Sequence, residues 1–182
     1  APAEFARVAA DARVRFMHED AGRFAARAGG QAFDVIFVYA PQPTTAALNR
    51  FYTVEFYRAL ARLLAPDGFV YTSVRTSERL RDESAMLGAS VYHALAEVFD
   101  TVLVTAEERN RLLAGGAAAG LTFDRPTLFG RSREAGVETR FFRPEYFLGC
   151  DEIDPAKTAF VRRRFADYPG LTNRVLQPVT YF

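Results

Sequence analysis

From Phe33 to Val70 the chain reads FDVIFVYAPQPTTAALNRFYTVEFYRALARLLAPDGFV: a strand, a proline-punctuated loop, an amphipathic helix, a turn and a second strand. Phe33 to Val38 is an almost unbroken apolar, β-rich run, the pattern of a parallel strand covered on both faces. The helix, expected over about Thr53 to Leu64, sets Phe56, Leu60, Leu63 and Leu64 on one side. Pro66-Asp67-Gly68 reads as the turn, with proline presetting φ and glycine expected to supply a positive φ. In an open α/β sheet, ligands bind beyond the carboxyl ends of the strands. The loop of interest is therefore Tyr39-Ala40-Pro41-Gln42-Pro43, and it contains no acid.

The remaining segments extend this pattern. Val14 to His18 (VRFMH) is expected to be a short strand. Asp20 is placed to cap a helix carrying Ala21, Phe24, Ala25 and Ala28, which Gly29 and Gly30 stop. Phe69 to Val74 is the next strand. A helix capped by Asp82 or Ser84 runs to Phe99, with Leu87, Val91, Leu95 and Val98 as its buried stripe. Thr101 to Thr105 and Arg111 to Ala114 are two short strands around a polar turn. GGAAAG, from Gly115 to Gly120, reads as a plain loop. Arg125 to Ala135 is expected to be helical and Val137 to Phe142 extended. Asp154 caps a last helix with Ala156, Phe160, Val161 and Phe165 inward, and the tail LTNRVLQPVTYF packs back on the body. Strands alternating with helices predict an α/β fold with a mainly parallel sheet, in one domain spanning residues 1–182.

Composition narrows the function classes. A net charge of +1 leaves no electrostatic footprint for nucleic acid. The longest basic run, Arg162-Arg163-Arg164, reads as a solvated helix face. No run of apolar residues reaches the ~18 that a membrane span needs. The single cysteine, Cys150, excludes an internal disulfide and any CxxC motif, so a reducing, cytoplasmic setting is expected. His18, Glu19 and Asp20 adjoin, but neighbouring residues of an extended segment point to opposite faces, and His93 has no partner at ligand spacing; no metal site is expected. Cys150 has no histidine motif that would make it a nucleophile.

FDVIFV, the proline loop, TAALNRFYTVEFYRALARLLAPDGFV and FDTVLVTAEERNRLLAG, in that order, resemble the spermidine synthase family of polyamine aminopropyltransferases. The likeness is strongest to spermidine synthase-like proteins fused to membrane segments. VETRFFRPEYF, DPAKTAFVRRRF and LTNRVLQPVTYF are similar to the C-terminal part of the same group. The resemblance implies a Rossmann sheet of the S-adenosylmethionine-methyltransferase type. It implies a reaction in which an aminopropyl group passes from decarboxylated S-adenosylmethionine, a co-substrate and not a covalently bound cofactor, to a diamine such as putrescine. It also implies that the chain, which opens on Ala1 with the end of a helix, lacks the first strands and the glycine-rich donor loop. The parent protein would then be a candidate for membrane anchoring, with this domain on the cytoplasmic side.

By the same resemblance, Tyr39 stands where the family has the aspartate that deprotonates the attacking amine, and Gln42 where it has a second loop acid. A diamine is mostly protonated at neutral pH, and a carboxylate both attracts the cation and accepts its proton. A tyrosine, with a reference pKa of ~10, is a neutral donor at pH 7. Its ring can hold a cation without deprotonating it. Aminopropyl transfer is therefore expected to be impaired. Asp20 and Ala21, in HEDAGRF, resemble the family's adenine-contacting motif, although a simple helix cap explains Asp20 equally well. Tyr52, Phe56 and Tyr57 read as core or as an aromatic wall of the site, and Glu55 is the nearest acid to the loop; Tyr52, Glu55 and Gln42 are the candidate substrate-binding residues. The expected partners are small molecules, a polyamine or a nucleoside, with a homodimer left open. Two other classes stay open: a non-catalytic module that binds a nucleoside, a polyamine or a protein, and an S-adenosylmethionine-dependent methyltransferase. The APQP loop lacks the acidic or amide-first pattern of amino-methylating enzymes.

Overall fold

A computed structural model of the chain describes residues 3–29, 32–76, 82–170 and 172–179. In chain order its elements are helices α1 (Ala3–Ala9) and α2 (Ala21–Arg27), strand β1 (Phe33–Phe37), helices α3 (Ala46–Asn49) and α4 (Val54–Ala61), strand β2 (Leu64–Arg75) and helix α5 (Asp82–Ala96). Strands β3 (Thr101–Val104) and β4 (Arg109–Gly115) follow, then α6 (Arg125–Glu134), α7 (Tyr146–Gly149) and α8 (Pro155–Ala166). The four strands form one sheet in the order β1-β2-β4-β3. β1 and β2 are parallel, as the Phe33–Val70 stretch requires. β4 runs antiparallel to both β2 and β3. The expectation of a mainly parallel sheet thus holds at β1–β2 and is modified beyond it. The β3–β4 connection is too short for a crossover, and a short connection reverses the chain.

Successive residues on the strands alternate between two environments. Val70, Thr72, Val74, Val102, Val104, Leu112 and Ala114 are buried on one face. Helices α4, α5 and α8 lie against the strands, and α2 packs on α4. The opposite face carries Phe69, Tyr71, Leu103 and Leu113, all half-buried, and Phe37, which is 68% exposed with its ring 5.2 Å from that of Tyr71. β1 was expected to be covered on both faces. It is instead an edge strand, half-exposed along its length. Val14 to His18 does not join it. That stretch lies outside the sheet, with Val14, Phe16 and Met17 exposed.

The Pro66-Gly68 turn lies within the span of β2. The register jumps from Phe33 opposite Leu64 to Val35 opposite Phe69, so Ala65 to Gly68 bulge out of the ladder. Gly68 is not in the left-handed region, contrary to expectation; its reason is space. A β-carbon there would lie 2.6 Å from the Phe33 carbonyl oxygen, 3.0 Å from that of Asp34 and 3.1 Å from that of Ala65. GGAAAG forms one 3-10 turn over Ala117–Ala119, closed by Gly120 at φ 56.

The helix caps follow the sequence. Asp20 accepts from the Arg23 N–H, Thr53 from Phe56, Asp124 from Thr127, and Asp154 from Ala156 and Lys157. The capping of α5 and the role of Gly30 lie outside the described residues. On α5 the buried stripe is Ala85, Ala89, Val91, Ala94 and Leu95, while Leu87 and Val98 are half-buried. On α8 only Val161 and Phe165 are buried. Ala156 and Phe160 face outward, correcting the expected inward set, because α8 meets the body along a narrow seam with α5. Val137 to Phe142 joins no strand. Arg162, Arg163 and Arg164 are exposed, with Arg164 over the Tyr168 ring.

Candidate functional site

The loop that leaves β1 is held by main-chain and side-chain bonds. Val38 continues the ladder, its N–H donating to the Tyr71 carbonyl at 2.8 Å. Tyr39 then turns out and is 87% exposed. Tyr52 sits on the 3-10 turn Arg50–Tyr52 that leads into α4 and is fully buried. Its hydroxyl donates back to the loop, lying 3.0 Å from the Ala40 carbonyl oxygen and 3.1 Å from that of Pro41. Gln42 Oε1 accepts from the Arg75 N–H at 3.1 Å, tying the loop to the end of β2. Its Nε2 is buried and has no hydrogen-bond partner among the described residues.

Asp20 uses both carboxylate oxygens. Oδ1 caps α2 on the Arg23 N–H at 3.1 Å, and Oδ2 meets Arg50 at 2.6 Å. This partly exposed pair is worth ~0–1 kcal/mol, but it joins the start of α2 to the turn that carries Tyr52. Glu55 lies on the exposed side of α4 and accepts from the Val175 N–H at 3.2 Å. Its carboxylate is engaged by the C-terminal segment. The structure thus gathers Ala21, Tyr39 and the Tyr52-held loop at one place, with Asp20 beside Ala21, and sets Glu55 to the tail.

That place is an apolar cleft of about 440 Å³ along the edge of β1 that no strand pairs among the described residues. Phe24, Leu63, Phe51 and Phe56 line it with Ala21, the β1 residues and Tyr39-Ala40-Pro41. Among the described residues, Tyr39 is the only ionisable one in its lining. Among the described residues no group of three His, Cys, Asp or Glu is placed to hold a metal ion, and no helix is long and apolar enough to cross a membrane. Cys150 is a half-buried free thiol.

Burial weakens the acidity of Tyr52, pushing its pKa up to about 12 against a small opposing pull from Arg109. Tyr57, fully buried beneath it, is raised further for the same reason. The folded chain therefore keeps the Tyr52 proton where the unfolded chain, titrating near 10, has lost it. Between pH 10 and about 12 the unfolded state binds fewer protons, so stability falls as pH rises, by roughly 2–3 kcal/mol for this residue. Tyr52→Phe is expected to be about 1–2 kcal/mol less stable than the parent at pH 7, through the lost hydrogen bonds. The gap should narrow above pH 10 in urea melts; a gap constant from pH 8 to 11.5 would exclude Tyr52 as the titrating group.

Sequence reasoning missed the buried asparagines. Asn49 and Asn173 pair at the base of the Tyr52 turn, Nδ2 of Asn173 donating to Oδ1 of Asn49 at 2.8 Å. Asn110 binds the Thr105 and Glu107 carbonyls and Thr76 Oγ1, closing the β3–β4 turn. The only signal would have been a lone amide set among apolar residues, which does not separate a buried amide from a solvated one.

Comparison with known proteins agrees with this architecture. The family model described as the spermine/spermidine synthase domain matches residues 3–105. Polyamine aminopropyltransferase 1 of Streptomyces coelicolor is 31% identical over 91 residues, 50% of this chain and 15% of that protein. Polyamine aminopropyltransferase 2 of the same organism is 40% identical over 58 residues, 32% of this chain and 10% of that protein. A solved spermidine synthase in complex with the transition state analogue AdoDATO superposes with a TM-score of 0.63 at 18% identity, covering 89% of this chain and 54% of that one. The spermidine synthase of Thermotoga maritima gives 0.59 at 18% identity, covering 89% and 53%. The chain thus spans about half the length of these solved relatives and a smaller share of the curated ones. At such identities the structures speak for the fold; the family model, matching more than half of the residues, establishes kinship. The chain belongs to the spermine/spermidine synthase family.

Proposed function

We propose that this domain holds the nucleoside part of an S-adenosyl-type donor in the cleft at the edge of β1, and that it transfers an aminopropyl group to a diamine only weakly. The observation that carries the reading is the lining of the cleft: aromatic and aliphatic side chains, with Tyr39 as the single ionisable residue among those described. Aromatic walls suit a flat purine and a thioether. Ala21 lies in the lining, and Asp20 beside it retains acceptor capacity on its carboxylate for an exocyclic amine. The names of the curated relatives and the bound analogue of the solved spermidine synthase support an aminopropyl donor of this class.

The reaction is an in-line attack by a neutral amine on the aminopropyl carbon bonded to the sulfonium: a C–N bond forms, that C–S bond breaks, and methylthioadenosine leaves as the neutral thioether. The protein contributes position and removal of a proton. Neither Tyr39 nor Gln42 supplies a carboxylate, so the diamine arrives protonated with no acid among the described residues lining the cleft. Calorimetry with methylthioadenosine is expected to show binding. Transfer from decarboxylated S-adenosylmethionine to putrescine is expected to be slow and to rise about tenfold or more in Tyr39→Asp, a modest part of the ~10²–10⁴ a well-placed base provides. Absence of heat would remove the nucleoside reading. Transfer that is brisk in the parent and unchanged or lowered by Tyr39→Asp would remove the impairment.

A further inference from the structure

We propose that Asn173, in the C-terminal segment, is a positioning residue for the loop that forms the mouth of the cleft. It acts through Tyr52, which Asn173 holds by a buried hydrogen bond to its carbonyl and which holds the loop by part-buried hydrogen bonds from its hydroxyl. The segment is anchored at three places. The Asn173 carbonyl accepts from the Val54 N–H at 3.1 Å. The Val175 N–H donates to Glu55 at 3.2 Å, and Arg174 pairs with Glu97 at 2.5 Å, a carboxylate shared with Arg58. Between these anchors the Asn173 side chain is fully buried and fully used. Its Nδ2 donates to Asn49 Oδ1 at 2.8 Å and to the Tyr52 carbonyl at 3.0 Å, while its Oδ1 accepts from the Val179 N–H at 3.2 Å.

The amide therefore grips the turn from the side opposite the loop. Tyr52 is bound at both ends, its carbonyl by Asn173 and its hydroxyl to the Ala40 and Pro41 carbonyls. Those two residues line the cleft next to Tyr39. A satisfied buried polar network specifies one arrangement, because any shift strands a desolvated donor or acceptor. Tail, turn and loop therefore move together or not at all. The tail reaches the mouth of the cleft through one aromatic side chain, without touching a ligand.

The inference rests on the nucleoside reading only for its functional consequence, and the test separates the two. Hydrogen exchange and methylthioadenosine calorimetry are to be run on the chain and on Asn173→Ala, Tyr52→Phe and the double variant. Each single variant is expected to speed exchange in the peptide spanning residues 38–46 about tenfold, with the β3–β4 hairpin unchanged. Tyr52→Phe should leave residues 172–179 protected, and nucleoside affinity should fall about tenfold in each single variant, with no further fall in the double. If Asn173→Ala fails to fold, the smaller change Asn173→Ser carries the test in its place, with Tyr52→Phe as the companion that keeps the ring and removes only the hydroxyl. Unchanged exchange at 38–46 in the Asn173 variant or in Tyr52→Phe, or a rise equal to that of the hairpin, overturns the proposal. Faster exchange at 38–46 with no nucleoside bound by any form leaves the positioning intact and removes the binding reading instead.

Discussion

Phe165→Ala is expected to destabilise the chain by about 3–5 kcal/mol, read as a fall in the urea midpoint at constant slope. Phe165 is fully buried, and with Val161 it is one of the two residues by which α8 enters the core. Its ring lies against the backbone of α5 at Gly88, where a β-carbon would be 2.2 Å from Cζ and 2.5 Å from Cε1. Tyr92 closes the site from one side with ring centroids 6.4 Å apart. Gly88 therefore stands in mid-helix for lack of room. Gly88→Ala gains about 1 kcal/mol of helix propensity but overpacks a filled site at a cost of about 1–3 kcal/mol, so a net loss is expected. In the Phe165→Ala background the space is vacated, only the propensity term remains, and Gly88→Ala should become stabilising. The same sign in both backgrounds would show that the ring does not explain the glycine.

Gly68→Ala is expected to cost about 3 kcal/mol, the upper end of the overpacking range, and to abolish the proposed nucleoside binding along with it. At Gly88 the obstacle is a side chain that can turn; at Gly68 it is three main-chain carbonyls, of Phe33, Asp34 and Ala65. Relief requires β1 to move away from β2 or the bulge to reopen. β1 is an edge strand with β2 as its one partner among the described residues, so the strand that yields is the one that lines the cleft. A urea melt and methylthioadenosine calorimetry on the same sample check both parts. A variant that keeps parental stability and affinity would mean the bulge accommodates a methyl group and does not set the position of β1.

The local elements were legible because each rests on a short-range rule. Asp20, Thr53, Asp124 and Asp154 cap helices through bonds to residues two or three ahead. Val161 and Phe165 fall on the inner side of α8 at helical spacing, and Phe33 to Phe37 is a strand because nothing else suits five such residues. Two misreadings have one origin. The sequence predicts φ > 0 at Gly68 and an inward Phe160, because spacing reports conformation and periodicity but not what stands nearby. The distance from Gly68 to the Phe33 carbonyl, or from Phe160 to open solvent, depends on segments tens of residues away.

The site divides the same way. The chain alone determined that the loop after β1 carries Tyr39 and Gln42 and no carboxylate, since charge is a property of composition. It also determined that a strand, a helix and a parallel strand enclose that loop, since periodicity sets each element. Only the tertiary structure decided that Tyr52 is a loop clamp, that Glu55 serves the tail, and that Asn173 closes on a turn 121 residues away in sequence. Hydrogen bonds between distant residues leave no periodic trace: the desolvation that makes a buried amide costly exists only once the surrounding elements have packed.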